Sequence, residues 1–147
     1  MKRFSRVIRL KKNVFLLFGF SILMGCDEKK DFRIIIEENT GVEISEKYEE
    51  LNAETNFATG DYSESVYLKF DSVGFSNIVN QVLISSYYTN TIIEGPQIDN
   101  GTPKGAKKWY IKSDGYKFEY NINGFKEFVE CYIDTTKRTM YYQHIQE

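Results

Sequence analysis

The stretch 71-DSVGFSNIVNQVLI-84 decides the fold that this sequence predicts. Its apolar residues recur at the three- and four-residue intervals of one helical face, and polar residues fill the opposite face. Asp71 or Ser72 can begin the helix, because either side chain can accept a hydrogen bond from a free N–H group of the first turn. We expect an amphipathic helix over residues 71–84 that nucleates the hydrophobic core. The apolar positions are Phe75, Ile78, Val79, Val82 and Leu83.

The segments on either side of this helix show the two-residue alternation of β-strands. Residues 47–70 alternate around a turn at Thr59–Asp61, which predicts a hairpin with one solvent-exposed face. Residues 109–145 alternate between several turns, of which Asn123-Gly124 is the strongest hairpin signal because both residues tolerate positive φ. The predicted fold class is α+β: an antiparallel sheet of about five or six strands with the helix on one face.

Two further segments complete the predicted single domain, residues 32–147. Residues 32–40 place apolar side chains at helical spacing ahead of Gly41, so we expect a short N-terminal helix; the β-branched run Ile34–Ile36 fits a strand as well. Residues 85–107 contain several turn formers. A connection of this length without regular structure is typical of a mobile or functional loop.

The N-terminal segment has the organisation of a secretory signal. Residues 1–13 contain six basic and no acidic residues. Residues 14–24 form an apolar run that is shorter than the roughly 20 residues a membrane-spanning helix needs. The run ends in Leu23-Met24-Gly25-Cys26, which resembles the lipobox of bacterial lipoproteins, with methionine as the one unusual residue. The resemblance implies cleavage between Gly25 and Cys26 and a diacylglyceryl group on the Cys26 sulfur, which would anchor the mature protein to a membrane.

The resemblance also divides the N-terminal region. Residues 1–25 would be the cleaved signal peptide, and residues 26–31 the lipidated cysteine with a short charged tether. Asp27 directly after the cysteine resembles an inner-membrane retention signal of enterobacterial lipoproteins. The cluster Asp27–Asp31 resembles a surface-export signal of Bacteroidetes lipoproteins, and the Tyr-, Lys- and Asn-rich composition favours this second resemblance. The implied location is therefore the bacterial cell envelope, with the membrane and leaflet left open.

Maturation would change the charge of the protein. The full sequence has 19 Lys and Arg and 21 Asp and Glu; six basic and no acidic residues precede Cys26, which leaves 13 basic against 21 acidic residues, a net charge of −8. Such a domain is a poor nucleic-acid binder and favours a basic protein partner. With Cys26 lipidated, Cys131 is the remaining cysteine, so no intramolecular disulfide can form.

The sequence contains no pattern that indicates catalysis. His144, the single histidine, falls in the last predicted strand, and we interpret it as a half-exposed strand residue. Cys131 alternates with aliphatic residues, which is typical of an inert buried thiol. Adjacent carboxylates such as Glu49-Glu50 point to opposite faces of a strand and form no convergent pair. We expect no enzyme activity, no metal and no other cofactor.

Aromatic residues are the most suggestive feature of the chain, with 11 Tyr, 11 Phe and one Trp. Neighbouring side chains of a strand face opposite sides, so one member of each pair Trp109-Tyr110 and Tyr141-Tyr142 could be exposed as an interface anchor. The alternative is that these aromatics fill the sheet, where their propensity is high.

Three hypotheses of function follow. The leading one is a non-catalytic, lipid-anchored envelope protein that binds another protein through Trp109, Tyr110, Tyr141 and Tyr142, as an inhibitor or an immunity-like protein would. The second is a glycan- or small-ligand-binding module with residues 85–107 as a mobile loop. The third is a hydrolase whose site is assembled around His144 from residues far apart in the sequence.

Overall fold

The computed structural model describes residues 31–44, 47–94, 102–124 and 126–147, and Asp31–Glu147 form one compact unit. The predicted signal peptide, residues 1–25, and residues 26–30 of the predicted tether lie outside the described residues. The elements in chain order are α1 (Phe32–Thr40), β1 (Tyr48–Ala58), β2 (Asp61–Phe70), α2 (Ser72–Ile84), β3 (Tyr88–Ile92), β4 (Lys107–Lys112), β5 (Gly115–Asn121), β6 (Glu127–Asp134) and β7 (Thr139–Gln146).

Helix α2 confirms the central prediction from the sequence. The Asp71 carboxylate caps it by accepting a hydrogen bond of 2.7 Å from the Gly74 N–H group. The buried stripe is narrower than predicted, because Leu83 lies at the flank of the helix and is 42% exposed. The apolar residues of α2 that are buried are Phe75, Ile78 and Val82.

Helix α1 confirms the predicted N-terminal helix, and the alternative of a strand is wrong. Asp31 begins it by accepting a hydrogen bond of 3.1 Å from the Arg33 N–H group. The helix ends at Gly41, whose φ of 71° is the left-handed conformation that glycine adopts without a steric penalty. Its buried residues, Phe32, Ile36 and Thr40, are four positions apart and form one face.

The described strands form one seven-stranded sheet in the order β1-β2-β7-β6-β5-β4-β3. Neighbouring strands are antiparallel, except that β3 runs parallel to β4. The mixed helix and sheet architecture confirms the predicted α+β class. The expectation of five or six strands, all antiparallel, is wrong in number and in the direction of one pair.

The extra strand, β3, lies in residues 85–107, which the turn formers predicted to be irregular. Tyr88 of β3 pairs with Trp109, and Ile92 pairs with Ile111. Two parallel strands begin at the same end of a sheet, so the chain has to run back along the length of the first strand before the second can begin. The connection between β3 and β4 is therefore long for a topological reason, which its length alone did not reveal.

The hydrophobic core lies between the two helices and one face of the sheet. Alternate residues of the five inner strands point to this face, which explains the alternation in the sequence, and nine of them are at most 1% exposed. They are Val66, Leu68, Trp109, Phe118, Val129, Cys131, Ile133, Met140 and Tyr142.

Gly115 is required by the close approach of β5 and β6. A Cβ atom at this position would lie 1.7 Å from the carbonyl oxygen of Ile133. We expect Gly115→Ala to lower the free energy of unfolding by about 1–3 kcal/mol or more, because the backbone has to move apart. Gly124→Asn is the control: its φ of 66° suits asparagine, and no atom lies within 4 Å of a Cβ there. Urea unfolding midpoints measure both changes, and equal midpoints for Gly115→Ala and the wild type would contradict this account.

Candidate functional site

The residues predicted to carry the anchor, Gly25 and Cys26, lie outside the described residues. Within the described part of the chain, no helix is long and apolar enough to cross a membrane. The four aromatic residues of the predicted surface, His144 and Cys131 are among the described residues.

Trp109 and Tyr142 do not belong to an exposed surface, which corrects the prediction for both. Trp109 is fully buried, with its indole N–H donating to the Thr40 carbonyl at 3.4 Å and its ring 5.1 Å from that of Phe118. Tyr142 is also fully buried, and its hydroxyl accepts a hydrogen bond of 2.8 Å from the Asn39 amide. Both belong to inner strands directly beneath the helices, where high β propensity and size make aromatics core residues.

Tyr110 points to the opposite face of the sheet, but it is buried as well, so the prediction of an exposed anchor is wrong here too. Its hydroxyl lies 2.7 Å from the hydroxyl of Thr102, which donates a second bond of 2.7 Å to the Glu119 carboxylate. The segment that follows the β3 strand thus covers this part of the second face. Tyr141 alone remains half-buried, with its ring edge against Tyr67. The four aromatics are therefore dispersed and form no common surface.

Burial also sets the chemistry of Cys131. It is fully buried on the core face of the sheet together with Val129 and Ile133, as the alternation of these three residues in the sequence predicted. Burial raises the pKa of its thiol far above the ordinary value, so the sulfur stays protonated and unreactive. The neighbouring Tyr142 is affected in the same direction: burial, followed by the charge of Glu64, raises the pKa of its hydroxyl. Both groups are neutral core residues.

His144 lies in a polar cluster that the sequence analysis missed. Its Nδ1 atom is 3.4 Å from Glu64 and its Nε2 atom 3.3 Å from Glu127, while Tyr62 donates a short hydrogen bond to the other oxygen of Glu64. The pairing of β2 with β7 brings two members of this cluster together, because Glu64 on β2 is directly opposite His144 on β7. No local signal links these residues, which are 80 and 17 positions from the histidine.

The cluster holds the histidine ring between two carboxylates. A general base needs a free nitrogen directed at the proton it removes, and here both ring nitrogens face carboxylates. Glu64 is only 2% exposed, so its carboxylate depends on these internal donors. Among the described residues, no group of three or more His, Cys, Asp or Glu side chains could hold a metal ion. The cluster is consistent with a structural role at the margin of the core.

A second polar cluster lies on the face opposite the helices. The Lys117 ammonium is 2.9 Å from Glu119 and 2.8 Å from Glu130. Burial acts to lower the pKa of Lys117, but hydrogen bonds and charge from Glu130 and Glu119 outweigh it and raise this pKa above its usual value. The lysine therefore stays charged and links the two neighbouring strands β5 and β6.

A shallow groove of about 450 Å³ separates the two helices. The side-chain amide of Gln81 closes part of it: its oxygen accepts a hydrogen bond of 2.7 Å from the Glu43 N–H group, and its nitrogen donates one of 3.0 Å to the Glu43 carbonyl. The loop predicted to cover a ligand, residues 85–107, contains β3 and the buried Thr102, and residues 95–101 lie outside the described residues. Strand β3 pairs with β4 and Thr102 is buried, so the described parts of this segment are in part fixed to the sheet, which does not favour the ligand-binding alternative.

The edge strand β1 is the most exposed part of the sheet. It is 11 residues long, nine of its positions are exposed, and no described strand pairs with its outer edge. It contains Glu49, Glu50 and Glu54 and no basic residue. Phe57 is 79% exposed at its end, which is unusual for a large aromatic side chain. Aromatic side chains are enriched at protein interfaces, and an unpaired strand edge can accept another strand, so Phe57 and the outer edge of β1 are features on which a partner could bind.

Glu64 tests whether the His144 cluster stabilises the fold. Glu64→Ala removes the carboxylate that accepts a hydrogen bond from Tyr62 and that faces His144, so we expect a loss of about 1–3 kcal/mol in the free energy of unfolding. Glu54→Ala, an exposed glutamate on the neighbouring strand, should change stability by less than about 0.5 kcal/mol. Chemical denaturation measures both, and similar midpoints for the two variants would show that the cluster is not structural.

No protein-family model, curated protein or solved structure matches this chain.

Proposed function

We propose that this chain is a lipid-anchored protein of a bacterial cell envelope that acts by binding another protein, and that the bound protein is basic. An inhibitor or an immunity-like protein would work in this way. The single observation that supports binding is β1: a long edge strand, exposed at nine of 11 positions, with three glutamates and an exposed Phe57. It replaces the aromatic pairs as the candidate surface.

The distribution of basic side chains supports a basic partner. Lys117 is held by Glu119 and Glu130, and Lys137 lies 3.0 Å from Asp134. Lys107 lies over the ring of Tyr120, 4.7 Å from its centroid. These three positive charges have partners within the domain, and the charged residues of β1 are all acidic. The surplus of negative charge would attract a positively charged protein and repel nucleic acid.

The anchor is supported by the N-terminal sequence. Leu23-Met24-Gly25-Cys26 follows a basic head and an apolar run, and only residues 27–31 separate Cys26 from the first helix. Two acyl chains give stable attachment where one chain gives reversible binding. A short tether would hold the domain near the membrane surface, where its partner would have to reach it.

The anchor predicts a difference between the two cysteines. In a bacterial host supplied with labelled palmitate, the wild type and Cys131→Ala should carry label and sediment with membranes. Cys26→Ser should carry no label, because the acceptor sulfur is absent. Gel fluorography and membrane fractionation measure both properties. Label retained by Cys26→Ser would contradict lipidation at this residue.

The partner is tested by capture from solubilised envelope and secreted protein of the source organism, with the full-length protein in mild detergent. We expect one basic protein to be retained in stoichiometric amount and lost as salt rises, because screening weakens charge attraction. Glu54→Lys on β1 should reduce retention, whereas Glu38→Lys on α1, with the same change in net charge, should not. Nothing retained by the wild type would contradict the proposed function, and equal retention by both variants would contradict β1 as the surface.

A further inference from the structure

We propose that the basic partner binds by adding an extended segment of its own chain to the outer edge of β1, as an eighth strand of the sheet. The inference rests on the proposed function and adds the mode of binding. In strand addition, main-chain hydrogen bonds give most of the affinity, and side-chain contacts select the partner.

The outer edge of β1 has the length and exposure that strand addition requires. Its inner edge is paired with β2 from Tyr48 to Ala58, so the strand is held extended before any partner arrives. In an antiparallel pair, the N–H and C=O groups that do not face the neighbour point outward. A strand of 11 residues is about twice the usual length, so several outward pairs are available. Natural proteins usually shorten or cover an edge of this kind.

The opposite edge of the sheet is a poorer template. β3 has five residues, and its pairing with β4 is irregular between Tyr88 and Ile92. A short edge offers few consecutive hydrogen bonds, which discourages pairing with other chains. The two edges therefore differ, and the longer edge is also the acidic one.

An irregularity in β1 brings two charges to one face. Glu49 pairs with Lys69 and Glu54 with Ser65, so both lie on the sheet face opposite the helices. Residues five positions apart would otherwise face opposite sides, but the register shifts by one residue at Leu51. An incoming strand with lysine or arginine at alternate positions would place all of its charges on one face, beside Glu54 and close to Glu49.

The same charges argue against a second copy of this chain as the occupant. Two β1 strands side by side would bring six glutamates together with no basic residue from either strand. Like charges opposite each other destabilise a strand pair. A basic segment removes this repulsion, which makes it the occupant that fits the edge.

A synthetic peptide of ten residues that alternates lysine and threonine tests the mode of binding with the full-length protein in detergent micelles. We expect it to bind and to slow hydrogen–deuterium exchange in β1, because the outward N–H groups become bonded, while the β6–β7 turn, residues 135–138, stays unchanged. The same peptide with its internal N–H groups methylated keeps its charge but should bind roughly tenfold more weakly or worse, since several hydrogen bonds are lost. A glutamate–threonine peptide should not bind.

Three results would overturn strand addition. Equal binding of the methylated peptide would show that charge alone attracts the segment. Unchanged exchange in β1 with the binding peptide would place the contact elsewhere. Concentration-dependent dimers of the protein, with the same protection of β1 in the absence of peptide, would identify a second copy as the occupant. If the capture experiment retains a basic protein while any of these results is found, the proposed function stands and the mode of binding falls.

Discussion

The structure depends on one constraint: two short helices have to cover a seven-stranded sheet. α1 and α2 contain nine and 13 residues, and each helix is about 10 Å wide. Seven strands spaced by about 4.8 Å extend over roughly 29 Å. Apolar side chains therefore collect beneath the helices on the five inner strands, where Trp109, Phe118 and Tyr142 are fully buried. The edge strand β1 lies beyond most of this cover, which is why it is exposed along most of its length.

The same constraint explains the two polar clusters. No described helix covers the face opposite α1 and α2, so charged side chains there have to satisfy one another, as Lys117 does with Glu119 and Glu130. The His144 cluster lies at the margin of the core, where β2 and β7 meet on the helix side. Glu64 is too buried to be hydrated, and so it depends on Tyr62 and His144. In both clusters, charged side chains bond to one another at places on the sheet that the two helices do not cover.

Local sequence patterns predicted the features that depend on interactions between residues close together in the chain. Asp71 and Gly41 marked the limits of the helices because capping and left-handed geometry depend on a few neighbouring residues. Strand β3 could not be found in this way: Tyr88–Ile92 is short, and its partner lies beyond a long connection. The assembly of Glu64 with His144 depends on register between β2 and β7, which no spacing in the sequence encodes.

The aromatic pairs show where a local rule is insufficient. Alternation correctly put Trp109 and Tyr110 on opposite faces, but it could not show that Thr102 covers the second face at Tyr110. Exposure depends on which strand is central and which is at an edge, and that is a property of the whole sheet. For the same reason alternation could not show that the glutamates of β1 lie on an edge strand of the sheet.

An exposed edge strand is a liability for any protein, and a membrane anchor would increase it. Tethering confines molecules to a surface and raises their effective concentration, which favours pairing between identical edges. Glutamates along β1 oppose that pairing, because two copies would bring like charges together, while they leave the edge open to a basic strand. One set of side chains would thus serve two ends: keeping anchored copies apart and admitting a partner of opposite charge.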